Sequence, residues 1–151
     1  MKEKIISFLQ RENIEIPSND NEIVNLFFGA LVVGKIDYWI ERSFDFIDNE
    51  KPGKPFEREW SEIAKQDKAY RTSFSQLDSE VKNQLKRLIR ESVEGVVFSI
   101  LSELDESNVG DWNVELQETE KQKIGVVNSE CELHEDLYRW IELFGDKKYH
   151  D

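Results

Sequence analysis

The stretch from Val81 to Leu104 constrains this chain more than any other. Val81, Leu85, Leu88, Ile89, Val93, Val96, Val97, Ile100, Leu101 and Leu104 recur there at three- and four-residue steps. That spacing collects apolar side chains on one flank of a helix and on no consistent face of a strand. A helix over residues 76–105 follows, its start marked by Ser75-Gln76-Leu77-Asp78, where an acid stands three residues after a serine as in a capping box. Ser107, Asn108 and Gly110 stop it.

A second long helix is expected over residues 20–49, entered through Pro17 and the polar Ser18-Asn19-Asp20-Asn21. Its apolar residues, from Ile23 through Phe28 and Val33 to Ile40, surround the axis instead of forming a stripe, the pattern of a central helix. Lys51-Pro52-Gly53-Lys54-Pro55 must end it. These two helices are expected to pair antiparallel and to form the stability core, with Leu88 and Val97 among its contributors. Trp39, Trp60 and Trp140 fall on core stripes, and Gly29, Gly34 and Gly95 read as places where a neighbouring element comes close.

Shorter elements fill the rest. Ile5, Ile6, Phe8 and Leu9, in the segment from Lys2 to Gln10, predict a short helix that ends near Asn13, and Phe56, Trp60, Ile63 and Ala64 predict one from Phe56 that stops near Tyr70 to Phe74. Trp112, Val114 and Leu116, then Ile124 and Val126, alternate as strands do around a polar loop from Gln117 to Lys123. Leu133, Leu137, Trp140, Ile141 and Phe144 form a last helical stripe, capped by Ser129-Glu130-Cys131-Glu132 and ended by Gly145. The expected fold is mainly α, four to five helices in a single domain over residues 1–151. A small antiparallel β-hairpin at about 112–127 precedes the last helix, and residues 146–151 are a frayed tail; α+β is the alternative label.

Charge narrows the function. The chain carries 20 Lys and Arg against 32 Asp and Glu, a net charge of −12, which repels nucleic acid and anionic lipid surfaces. The most apolar window, Leu26 to Val33, is far short of the ~20 residues that cross a bilayer, so no membrane span is expected. One cysteine and no leading apolar run fit the reducing cytoplasm.

The excess acid is local. Residues 76–151 have 9 bases and 18 acids, and from Glu91 to Glu120 there are nine acids and no Lys or Arg. A single-sign field of that kind steers a cationic protein to the surface. Glu103, Asp105, Glu106, Asp111, Glu115 and Glu118 would supply it, with Trp112 as an apolar anchor. The expected function is that of a non-enzymatic, acidic binding protein that occludes a basic protein partner, in the manner of immunity-type inhibitors of bacterial toxins.

Two alternatives follow from other residues. Glu41 with Asp45, and Glu91 with Glu94, lie four and three residues apart on helix faces and would hold Mg²⁺ in a metal-dependent hydrolase. Arg42 and Arg90, beside those pairs, are expected to salt-bridge. Surplus apolar surface on helix 20–49 would instead make a homodimeric scaffold. Cys131 and His134, with two residues between them, have a zinc-like spacing but no further ligands near in sequence, so no cofactor is expected.

Overall fold

The structure, a computed structural model, describes residues 1–51, 61–106, 114–119, 122–128 and 132–150. Among these, the order is α1 (Lys2–Arg11), α2 (Asp20–Asp48), α3 (Glu62–Ser75), α4 (Ser79–Asp105), β1 (Glu115–Thr119), β2 (Gln122–Val126), α5 (Leu133–Phe144) and α6 (Lys147–His150). The protein is mainly α, with an antiparallel hairpin ahead of α5, as the apolar periodicity predicts.

α2 is the axis on which every other helix and β2 pack. Asn19 caps it by accepting from the Asn21 N–H at 2.9 Å, the role expected of that polar stretch. Ile23, Val24, Leu26, Val33, Ile36, Ile40 and Ile47 are buried along its length. α2 is long and apolar enough to cross a membrane, and 44% of its most apolar window is buried in this fold. The helix is not buried all round, because Leu31, Tyr38 and Trp39 face solvent, with Trp39 53% exposed. Trp39 is thus no core residue.

Trp140 is the core's centre, fully buried on α5. Its indole lies flat on Gly29, where any Cβ would overlap the ring, so glycine is required for α5 to reach α2. The indole N–H donates to Asn25 Oδ1 at 3.0 Å, and Asn25 in turn donates to Asp136 Oδ2 at 2.8 Å and the Val127 carbonyl at 3.1 Å. Every polar atom in this patch finds a partner, which makes burial tolerable. Gly34 and Gly95, in contrast, have nothing within 4 Å of a Cβ position, so neither marks a close approach.

The hairpin pairs Leu116 with Gly125 and Thr119 with Gln122, and its strands run into the expected Gln117–Lys123 loop, which is shorter than the alternation implied. It is fixed to α2 by the Val126 N–H donating to Asn21 Oδ1 at 2.9 Å. A smaller apolar cluster joins Ile5 and Leu9 of α1 to Ile23 and Leu26 of α2.

α4 departs most from expectation. Leu101 is its only fully buried residue, while Leu88, Val96 and Ile100 are each more than half exposed. Val93, Val97, Phe98 and Leu104 lie half-buried at the edge of the main cluster. α4 thus packs on α2 as expected, but only one edge of it enters the core and its outer apolar face stays open. Its cap is Asp78, which accepts from the Val81 N–H at 2.9 Å, because Ser75 still belongs to α3. α3 starts at Glu62 with Ser61 as its cap, and the expected start at Phe56 and the place of Trp60 lie outside the described residues. The expected frayed tail is tied down: residues 147–150 form a helical turn with Tyr149 buried and His150 held between Asp37 and Glu94 at 2.6 and 3.0 Å.

Candidate interaction surface

α4 carries its charge against its own dipole. Lys82, Lys86, Arg87 and Arg90 occupy its first half with no acid between Glu80 and Glu91. Glu91, Glu94, Glu103 and Asp105 follow with no base, and none stands in the last turn. A helix C-terminus attracts cations and repels carboxylates, by roughly 0.3–1 kcal/mol per exposed charge. The acids at this end therefore serve something other than the local stability of α4.

Asp105 serves α5. Its carboxylate, 3% exposed, accepts at 2.9 Å from both the His134 backbone N–H and the His134 ring Nδ1. It caps α5, whose own N-cap residue Glu132 makes no side-chain cap. The hydrogen bond to Asp105 raises the His134 pKa above its ordinary value; desolvation opposes the shift, and the charges of Asp105, Glu132 and Glu106 add to it. Asp105 is a structural anchor and not an exposed member of an acidic surface.

The hairpin acids are engaged as well. Glu115 lies 2.7 Å from Lys123 Nζ, which holds its carboxyl below the usual value with help from a Gln117 hydrogen bond. Glu118 pairs with the Met1 ammonium at 2.5 Å. Asp111 and Trp112 lie outside the described residues. Of the acids expected to meet a partner, Glu103 and Glu106 are exposed and have no side-chain hydrogen bond or ion pair among the described residues, although the Glu106 charge acts on His134.

Beside Glu103, the outer face of α4 holds a shallow, open depression lined by Ser92, Gly95, Val96, Ser99, Ile100 and Glu103. The Ser92 and Ser99 hydroxyls donate back to the Leu88 and Gly95 carbonyls at 2.7 and 2.8 Å. Their polarity is thus met within the helix, and the face offers mostly carbon bordered by acid. Sequence periodicity placed Val96 and Ile100 on the core stripe, which hid the surface they form.

The expected metal ligands are individually paired. Asp45 receives Arg71 Nη2 at 2.6 Å and Asn49 Nδ2 at 2.7 Å; burial raises its pKa, but these hydrogen bonds and the Arg71 charge outweigh that and hold it low. Glu91 pairs with Arg87 at 2.7 Å, Glu94 accepts from His150, and Glu41 lies 3.9 Å from Lys148 Nζ. Among the described residues Arg42 has no ion pair; it lies over Trp39 and donates to the Tyr38 hydroxyl at 3.5 Å. Among the described residues, the one group of three close metal-type ligands is Glu132, His134 and Glu135. These stand at the α5 N-terminus, where carboxylates answer the helix dipole and a cation would oppose it. Cys131 lies outside the described residues.

Comparison of the chain with protein-family models, with curated proteins and with solved structures found no match.

Proposed function

We propose that the protein is a non-enzymatic binding module that occludes a basic protein partner, docked on the outer face of α4. The observation that carries this reading is the exposed set Val96, Ile100 and Glu103, an apolar depression with an acidic border on a helix whose charges do not serve its own stability. A cationic partner with an apolar anchor fits it: the anchor supplies the desolvated contact, and Glu103 and Glu106 supply the steering field. Two features support occlusion over catalysis. The depression holds no titratable pair, and the net charge of −12 neutralises a basic groove. An immunity-type inhibitor of a toxin is a protein of this kind.

The test compares affinity capture from lysate of the source cells by the wild-type chain and by Ile100→Asp and Glu103→Lys/Glu106→Lys. The expected result is a basic protein retained by the wild type and lost from both variants, with the charge variant slowing association and Ile100→Asp speeding dissociation. Retention indifferent to both variants, or of proteins no more basic than the lysate average, would sink the reading.

A further inference from the structure

A groove of about 610 Å³ lies between the C-terminal half of α2 and the N-terminal half of α4, with α6 along one side. Asn83, Lys86, Arg87 and Arg90 form its α4 wall, and half-buried Phe44 and buried Tyr149 also line it, with Lys86 Nζ 5.4 Å and Lys148 Nζ 4.4 Å from their ring centres. The four α4 residues stand at i, i+3, i+4 and i+7 on a single helix face, with no acid between Glu80 and Glu91. Like charges at these spacings repel, so the wall is left with an unbalanced demand for an anion.

The groove's own carboxylates do not meet that demand in full. Lys86 Nζ lies 2.6 Å from Asp48, Arg87 Nε 2.7 Å from Glu91, and Lys148 Nζ 3.1 Å from Asp146. Asp45 is taken by Arg71. Arg90 has no ion pair or hydrogen bond, and its Nε is the one buried side-chain nitrogen or oxygen without a partner among the described residues. A buried guanidinium N–H with no acceptor forfeits its hydration for nothing, and an external oxyanion would restore the bond.

We propose that this groove binds a small phosphate-bearing molecule, with the phosphate on Arg90 between Lys86 and Arg87 and the organic part against Phe44 and Tyr149. The planar guanidinium fork matches phosphate geometry, and the volume is of the size that takes small molecules. Asp48 and Glu41, on the facing wall, repel an extended polyanion and accept hydrogen bonds from hydroxyls. The ligand class is therefore a phosphate ester with free hydroxyls, such as a sugar phosphate or a mononucleotide.

The experiment is isothermal titration of the full chain with AMP, ribose 5-phosphate and inorganic phosphate, with ribose and with KCl at matched ionic strength as controls. Saturable binding of at least one phosphate probe, absent with both controls and weakened about tenfold or more in Arg90→Gln, is expected. Asn83→Asp places a carboxylate on the same face at an exposed position and should weaken binding to a like extent; it decides the matter if Arg90→Gln does not fold. No saturable binding of any phosphate probe, heat reproduced by KCl, or binding unaffected by Arg90→Gln would overturn the proposal.

Discussion

The two ends of α2 are held by different physics. Towards its N-terminus, α1, α5 and the hairpin press apolar side chains onto it, and the Trp140 ring is seated on a glycine. At its C-terminus, α3 offers few buried residues: Ala64, Asp67 and Arg71, with Ile63 and Tyr70 exposed. One arginine does the anchoring there. Arg71, 4% exposed, donates to Asp67 at 2.9 Å, to Asp45 Oδ2 at 2.6 Å, and to the Asp45 and Asn49 carbonyls at 2.8 and 3.0 Å, with its guanidinium 4.4 Å from the Phe46 ring centre. Since α2 has no base in its own last turn, Arg71 also caps it from the neighbouring helix. The first end depends chiefly on shape, and pH reaches it through the Asp105–His134 bond at the start of α5. The second depends on charge, which salt and pH both affect.

The largest effect should come from Trp140→Ala. It opens a cavity beside Gly29 and leaves Asn25 Oδ1 without its donor, for a cost of about 3–5 kcal/mol in chemical denaturation. Gly29→Ala should cost about 1–3 kcal/mol by overpacking, and much less in a Trp140→Leu background. If the two substitutions are instead additive, the ring and the glycine do not share one contact.

Arg71→Met is expected to come next, at about 3 kcal/mol, the low end for removing one member of a buried pair, because Asp45 is about one-third exposed. Its signature is local. Amide exchange in α3 and the last turn of α2 should accelerate while α5 stays protected, since the two ends are separate cooperative regions. Equal acceleration in α5 would merge them into one.

How much of this was legible depended on whether the cause was local in sequence. Periodicity located α2, α4, α5 and the hairpin because apolar spacing follows backbone geometry directly. It overstated α4, since a stripe shows that one side is apolar and not that anything covers it: Leu88, on that stripe, is 59% exposed, and its truncation should change stability by no more than about 0.5 kcal/mol. The Gly29 contact was anticipated as a close approach, but not its partner, 111 residues away. Arg71, Asp105 and His150 could not be assigned from spacing, because each acts on an element distant in the chain. Arg90 was expected to salt-bridge, and only the fold reveals that its neighbours are already paired.

pH separates the two ends by sign, with the smallest expected effects. Asp45 titrates below its ordinary 3.8, so the stability it lends is present above that value and is lost as pH falls through the lowered one. His134 titrates above its ordinary 6.5, so the stability from its bond to Asp105 is complete below 6.5 and is lost as pH rises through the raised value. Acid should therefore loosen α3, and mild base should loosen the start of α5. Amide exchange followed from about pH 2 to 9 and corrected for intrinsic rates would read both ends in one experiment, alongside the ring-proton titration of His134. Asp105→Asn should return the His134 midpoint towards 6.5 and abolish the alkaline effect at α5 without altering the acid effect at α3. An unchanged midpoint in that variant would assign the shift to Glu132 and Glu106, whose charges also face the ring, and would remove the reason for expecting the α5 start to respond to base.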